Sequence, residues 1–348
     1  QFASSAASDV YKRQLLKIRD FQAYEFYWTP DAQEISISLY GLYEKEINQY
    51  TIQSSFRLEN NSIIPDITSE YFYANLDINQ INERNFLLFS TAAAIITKRK
   101  NWELSLGSMF TSRAPSIEDL YSDGPHLGVY NYEIGLPELG AEHIYGLEGS
   151  LGYMTDRGEL KITSYQNYSP NYHLSKVMGE GYEPGADWIE WGSGSAGWLY
   201  IYQMSGLEVY IHGYESEFSY NLNDIIRFDG SFSATRGENL TDNSSLYYMP
   251  PDRILLSTEV NLLPFSINLM RKKVFSQNRI GLYESATSGY ETYNLIGTYT
   301  IRNSRAVHKI ILQIDNVFDR KYYNHLSRIK SIMPEKGRNI GLQYRLNF

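Results

Sequence analysis

The stretch GRNIGLQYRLNF, Gly337–Phe348, decides how the rest of the chain is read. Its even positions, Ile340, Leu342, Tyr344, Leu346 and Phe348, are apolar or aromatic. Its odd positions, Asn339, Gly341, Gln343, Arg345 and Asn347, hold no hydrophobe. Successive side chains of a strand point to opposite faces, so this segment has one greasy face and one polar face. The alternation recurs upstream. Trp102, Leu104 and Leu106 oppose Glu103, Ser105 and Gly107; Tyr145, Leu147, Gly149, Leu151 and Tyr153 oppose Glu148, Ser150 and Gly152. Phe228, Gly230 and Phe232 oppose Arg227, Asp229 and Ser231, and Tyr293, Leu295, Gly297 and Tyr299 oppose Asn294, Thr298 and Thr300. Roughly fourteen runs of about ten residues read this way, the length a tilted strand needs to cross a bilayer. The run from Phe86 to Thr97 is apolar on both faces and is expected to touch something inside as well.

The connections alternate in length. Short turns are expected at 97–101, 155–158, 222–224, 262–265 and 303–306, and long loops at 59–84, 113–141, 170–198, 237–251, 279–290 and 319–336. Short turns on one side and long loops on the other is the plan of an outer-membrane barrel. A core built from the polar face would bury Arg227, Asp229, Arg253, Glu259 and Arg345, which is prohibitive for unpaired charges. A sandwich core built from the greasy face survives that test. The segregation of loops by length then favours lipid, as does a composition with 31 Tyr among 15% aromatics, which suits interfacial girdles. The expected fold class is therefore all-β: an antiparallel transmembrane β-barrel.

Other classes are excluded cheaply. There are no cysteines, so no disulfide framework or thiolate metal site forms. The net charge of -9 argues against a nucleic-acid partner. No apolar run reaches the roughly 18 residues of a membrane helix, a fact without bearing on strands. The opening QFASSAASDVYKRQ has no apolar signal core and looks like translated sequencing-adapter read-through, so residues 1–14 are expected to be non-native and the barrel to start at Leu15. No catalytic constellation is present: Ser112 and Ser116 flank Pro115 without a nucleophile-elbow context, and GSGSAG at 192–197 is loop glycine. No enzyme activity is expected.

Three longer segments carry a resemblance. FTSRAPSIEDLYSDGPHLGVYNYEIGLPELGAEHIYGLEGSLGY (110–153) resembles a signature of TonB-dependent outer-membrane receptors. IDNVFDRKYYNH (314–325) resembles the penultimate-strand motif of that family, and the Gly337–Phe348 stretch resembles its last strand. Within the family, LYSDGPHLG with YEIG, MPPDRILLSTEV (249–260) and NHLSRIKSIMPEKGRNI (324–340) look like the zinc-uptake type. Two features depart from it: Leu136 stands where the family carries a turn-favouring Asn, and there is no long His-rich loop.

The resemblance implies a barrel of about 22 strands around a plug. On it, residues 15–348 are the C-terminal part of an incomplete barrel, with plug, TonB box and first strands absent. It implies the outer membrane of a Gram-negative bacterium and TonB-dependent uptake of a scarce nutrient. The cargo is a metal: zinc, or iron as a siderophore or haem complex. The implied partners are outer-membrane lipid, the TonB complex through the missing N-terminal part, and the barrel-assembly machinery, which reads Phe348. No resident cofactor is implied. A passive channel and a receptor for carbohydrate or another nutrient are the alternatives.

Ligand contacts are expected in the loops. In 113–141 the candidates are Glu118, Asp119, Tyr121, Asp123 and His126. Asp123 and His126, three residues apart, could share a metal; otherwise Gly124-Pro125-His126 is a structural turn capped by Asp123. In and before 180–194, His173, Trp188 and Trp191 stand among Glu180, Glu183, Asp187 and Glu190. They could gather a cation or stack on an aromatic siderophore or sugar, or form a solvated acidic loop. His325 with Tyr322 and Tyr323 is a third candidate. Arg113 is expected to anchor its loop through a carboxylate.

Overall fold

The computed structural model describes residues 8–22, 28–67, 75–126, 131–178, 188–190, 198–282, 284–327, 330 and 333–348. In chain order the elements are β1 (Ser8–Phe21), β2 (Asp31–Ile47), β3 (Tyr50–Asp66), a 3-10 turn (Ile78–Gln80), β4 (Arg84–Arg99), β5 (Trp102–Arg113) and α1 (Ile117–Tyr121). There follow β6 (Asp123–His126), β7 (Asn131–Ile134), β8 (Glu142–Thr155), β9 (Gly158–Val177), β10 (Trp188–Glu190), β11 (Trp198–Asn221) and β12 (Ile226–Asn239). The last are β13 (Ser244–Ser245), β14 (Arg253–Leu262), β15 (Phe265–Val274), β16 (Tyr290–Arg302), β17 (Val307–Asp315) and β18 (Asn339–Asn347).

Fourteen of the strands form one antiparallel meander, in the order β1, β2, β3, β4, β5, β8, β9, β11, β12, β14, β15, β16, β17, β18. The other four decorate the long loops: β6 pairs β7, β7 and β10 each add to β11, and β13 adds to β12. Among the described residues β1 and β18 do not pair with each other, so the sheet is open. Short turns and long loops alternate as expected. Asn48 and Lys100 take the left-handed conformation in the two-residue turns after β2 and β4.

Three boundaries differ from the sequence reading. Strand β3 runs on to Asp66 and β9 to Val177, into segments expected to be loop, because ladder pairing needs no hydrophobe once the strand stands clear of lipid. Strand β1 begins at Ser8, with residues 8–14 paired against 39–45 of β2, although the barrel was expected to start at Leu15. Backbone pairing is indifferent to side-chain identity, so the ladder continues across that junction.

The greasy face is the exposed one. Leu104, Leu106, Leu147, Ile267, Leu269, Ile340 and Leu342 all stand open, with Leu342 at 76%. Cross-strand aromatic pairs form two belts on it. Trp102–Tyr153 (ring centroids 4.6 Å apart) and Phe265–Tyr299 (4.8 Å) lie by the short turns; Phe110–Tyr145 (5.0 Å) lies toward the long loops. Trp102 and Phe110 are eight residues apart on one strand, about 26 Å along it and about 20 Å of height at a barrel tilt, close to the apolar band of an outer-membrane barrel. Above the band the outer face turns charged: Arg271 bonds Glu291 at 2.9 Å, beside Lys273 and Tyr293. The opposite face is polar and internally paired. Ser36 donates to Glu59 at 2.9 Å, Asn61 to Glu34 at 2.8 Å, and Ser105 and Ser150 share a hydrogen bond of 2.6 Å.

The doubly apolar run finds its inner partner. Phe86 and Leu88 of β4, with Ala32, Ile63 and Ile81, pack against Ile117, Leu120, Tyr121 and Leu139 of the loop between β5 and β8. That loop therefore folds inward over the polar face and brings an apolar core with it; a smaller cluster forms around Leu207, Val209 and Leu246.

The two faces respond differently to charge. In the intact barrel folded into lipid vesicles, Leu106→Arg, midway between the aromatic belts, lowers stability in urea titrations by about 2–4 kcal/mol. Thr163→Arg on the inner face, opposite Glu215 in the ladder, changes it by less than about 1 kcal/mol. Equal losses at both positions would contradict the assignment of faces.

Candidate functional site

The inward loop is organised by α1. Ser116 caps it with a reciprocal capping box: the Asp119 amide donates to Ser116 Oγ at 3.1 Å, and the Ser116 amide donates to Asp119 Oδ2 at 2.9 Å. Ile117, Leu120 and Tyr121 are the buried face. The Tyr121 hydroxyl donates to the Asn82 carbonyl at 2.5 Å, and burial pushes its pKa up to about 12, so it stays a neutral donor. Gly135 passes so close that a Cβ there would sit 2.5 Å from the Leu120 carbonyl group, a place only glycine fits. Leu136, where an Asn was expected from the resemblance, packs against the apolar cluster and its amide donates to the Asp119 carbonyl at 2.9 Å. Of the loop candidates, Asp119 and Tyr121 are thus structural. Glu118 is the one that faces open space: a polar cavity of 390 Å³ that it lines with Arg19, Arg57, Arg113, Glu34 and Glu59.

Asp123 is a latch. Its Oδ2 accepts from the amides of Asn75 (2.6 Å) and Leu76 (2.8 Å), and its Oδ1 from Asn75 Nδ2 (2.7 Å) and the Tyr132 hydroxyl (3.0 Å). Its own amide donates to the Trp28 carbonyl at 2.7 Å. The Asp123 carboxylate therefore ties its own loop after β5 to the loop after β3, and its amide ties that loop to the one after β1. Burial and the Asp123 charge raise the Tyr132 hydroxyl above its usual range, which keeps that donor protonated. His126 turns instead to Glu133 (Nδ1 to Oε1 3.1 Å) and lies against the Trp28 ring, centroids 4.7 Å apart. Four donors thus occupy the carboxylate that the sequence offered to a metal shared with His126, and His126 faces Glu133. The structural-turn reading is the one the geometry supports.

His173 is also structural. It sits in β9 with its Nε2 donating to the Gly140 carbonyl at 2.9 Å, which leaves Nδ1 as the acceptor facing Arg113 at 3.4 Å. Arg113 in turn grips Glu142, with contacts of 2.8 and 2.6 Å, and so anchors the base of the loop as its sequence context predicted. Trp188 lies in β10, its backbone opposite Tyr200 of β11; Trp191 lies outside the described residues.

A second clasp, of which the sequence offered only His325 beside Tyr322 and Tyr323, joins the loops after β15 and β17. His325, Glu284 and Lys330 are nearly fully buried, at 1%, 4% and 11% side-chain exposure. His325 Nδ1 meets Thr287 Oγ1 at 2.9 Å and Lys330 Nζ at 3.2 Å. Its Nε2 lies 2.9 Å from Glu284 Oε1, off the axis of an aligned hydrogen bond, so the contact is electrostatic. The Glu284 carboxylate accepts from the amides of Gly281 (3.1 Å) and Tyr248 (3.3 Å). Burial, and then the Lys330 charge, lower the His325 pKa below its ordinary value, so the imidazole is neutral at neutral pH.

No protein-family model matches the chain. Solved structures do. The copper transporter OprC aligns with a TM-score of 0.71 and 20% identity over 89% of this chain and 47% of that one. The FrpB iron transporter from Neisseria meningitidis (F3-3 variant) aligns at 0.64 and 13%, over 92% and 46% respectively. The siderophore receptor PiuA from Acinetobacter baumannii aligns at 0.62 and 14%, over 90% and 43%. These neighbours are TonB-dependent receptors, transporters and receptors in kind, and the likeness establishes that the chain has their barrel fold. The chain spans about half the length of each. None of the three is described as a zinc receptor.

Two outcomes follow from the clasps. Asp123→Ala frees the Asn75 and Leu76 amides, and their hydrogen exchange accelerates about tenfold or more, given about 1.5–3 kcal/mol for a bond to a charged acceptor; unchanged protection would mean the latch does not hold the loops. For His325 the folded pKa lies below the unfolded one, so the unfolded form takes up the proton first and the clasp weakens as pH falls below about 6.5. Protease resistance of the loops after β15 and β17 drops between neutral pH and pH ~5, and His325→Gln flattens that profile.

Proposed function

We propose that this chain is the C-terminal part of the barrel wall of a TonB-dependent outer-membrane receptor. The receptor takes up a scarce metal, zinc, or iron carried as a siderophore or haem complex. The observation that carries the reading is the meander itself. Its fourteen strands have an apolar, belted outer face and a polar inner one, and they match transporters of copper, iron and siderophores over about nine-tenths of the chain. Among the described residues β1 and β18 each leave one edge unpaired, which supports it further. Lipid offers backbone groups no partner, so each edge calls for another strand beside it.

In this reading the long loops meet the ligand outside, and a plug carried by the rest of the protein gates the lumen. TonB, driven by the inner-membrane proton gradient, opens it. Passage requires no covalent chemistry from the wall. The inward loop held by Arg113, Glu142 and Asp123 narrows the wall's mouth and sets its shape before any ligand arrives.

Transport of radiolabelled zinc and of ferric chelates by cells expressing the full-length receptor is the test. Uptake of at least one of these that is lost when tonB is deleted or the proton gradient is collapsed is the expected outcome. Equal uptake with and without TonB would instead mark a passive channel.

A further inference from the structure

Between the inward loop and the strands behind it lies the polar cavity of 390 Å³, at the lower end of the range of small-ligand pockets, about 300–1,000 Å³. Strands β1 to β3 supply Arg19, Glu34, Arg57, Glu59 and Asn61 to its lining; the end of β5 supplies Arg113, and α1 supplies Glu118. The arginines are all engaged. Arg19 stands opposite Glu34 in the ladder and reaches it at 3.6 Å. Arg57 pairs with Glu59 on its own strand. Arg113 is committed to Glu142 at 2.6 Å, outside the lining. Glu118 forms no ion pair among the described residues. Three arginines therefore meet four carboxylates, Glu34, Glu59, Glu142 and Glu118, and the surplus charge is that of Glu118.

A second observation is independent of charge. Asn61 is 3% exposed, and its Nδ2 donates to Glu34 Oε1 at 2.8 Å. A carboxylate accepts and does not donate, so the Asn61 amide has one workable orientation, with Oδ1 turned away from Glu34. That oxygen is buried and has no hydrogen-bond partner. Ser36, directly opposite Asn61 in the ladder, does not serve it, because the Ser36 hydroxyl donates to Glu59 at 2.9 Å. A buried acceptor is unfavourable until a donor reaches it. The cavity thus presents two acceptors without donors, Asn61 Oδ1 on the wall and the Glu118 carboxylate on the loop. Phe21, Ile63 and Leu88 give the same lining an apolar border.

We propose that this cavity binds a primary ammonium group carried on a short alkyl stem, as part of a diffusible solute. An ammonium offers several N–H donors and no acceptor, which suits a pair of acceptors that have none. Its charge balances Glu118, and its methylene groups lie along Phe21, Ile63 and Leu88, as amphipathic side chains bury their stems. Other ligand classes fit less well. An anion would face the Glu118 carboxylate and the Asn61 oxygen, both of which repel it. A bare divalent metal needs several oxygen ligands at once, and among the described residues no three His, Cys, Asp or Glu side chains are placed to hold one. The inference goes beyond the receptor reading, since the site is the same whichever metal or chelate is carried.

Saturation-transfer NMR on the full-length protein in membrane vesicles tests it, with butylammonium as the probe and tetramethylammonium as a cation of equal charge without N–H donors. Butylammonium binds, and tetramethylammonium binds about tenfold more weakly or less, the scale of one charge-assisted hydrogen bond. Glu118→Gln weakens butylammonium by about tenfold or more. Glu118→Asp keeps most of the affinity, and Glu138→Gln, on the same loop but off the lining, leaves it unchanged. Asn61→Leu removes the second acceptor and weakens binding too; it also breaks the bond to Glu34, so Glu118→Gln decides where Asn61→Leu does not fold. Absence of butylammonium binding overturns the site, as does equal affinity in Glu118→Gln or equal affinity for the two cations. Carbodiimide coupling that joins Glu118 to a lysine of the protein itself also overturns it, because the cavity then holds an ammonium of its own chain. TonB-independent uptake would sink the receptor reading and leave each of these outcomes as it stands.

Discussion

Everything in this structure depends on backbone hydrogen bonding in a medium that offers none. A strand in hydrocarbon must find its partners in the strands on either side, since each unmet peptide group costs several kcal/mol, on the order of the full desolvation penalty. That requirement turns the chain into a single uninterrupted meander. It also frees the side chains, because the ladder carries the pairing. The outer face can be wholly apolar between the aromatic belts, and the inner face can hold Ser, Asn and ion-paired residues facing water.

The inward loop shows what the same chain does where lipid is absent. There a five-residue helix, capped by Ser116 and Asp119, brings Ile117, Leu120 and Tyr121 onto Phe86 and Leu88 of the wall. The local rules are those of a soluble protein: caps, a buried apolar cluster, and a carboxylate saturated with donors. The loop is held at its base by Arg113 and Glu142 and at its tip by Asp123, so it forms part of the wall's architecture. The loop leaves other surfaces open, among them the polar cavity beside Glu118.

The comparison of sequence with structure separates along the same line. Strand number, the outward sense of Leu104, Leu147 and Leu342, and the alternation of short and long connections were legible because a period of two is a local property. The inner contact of the run from Phe86 to Thr97 was legible for the same reason, as a second apolar face with nothing local to cover it. Arg113 could be read as an anchor because a guanidinium at a strand exit needs a carboxylate. For Asp123, His126 and His173 the sequence left both a ligand and a structural reading open, and the structure gives each of them protein partners. Polar residues spaced for a metal look the same in sequence as polar residues spaced for a latch, and the Asn75 amide that claims Asp123 lies 48 positions away.

By itself, then, the sequence determined the period of the side chains, and with it the sheet, its two faces and the medium each one meets. The tertiary structure alone decided which polar groups are spent on holding the loops and which are left over. That division depends on partners such as Glu142 for Arg113 and Glu284 for His325. Such pairings join neighbouring strands through their register, or separate loops through their packing, and no local pattern of residues encodes them.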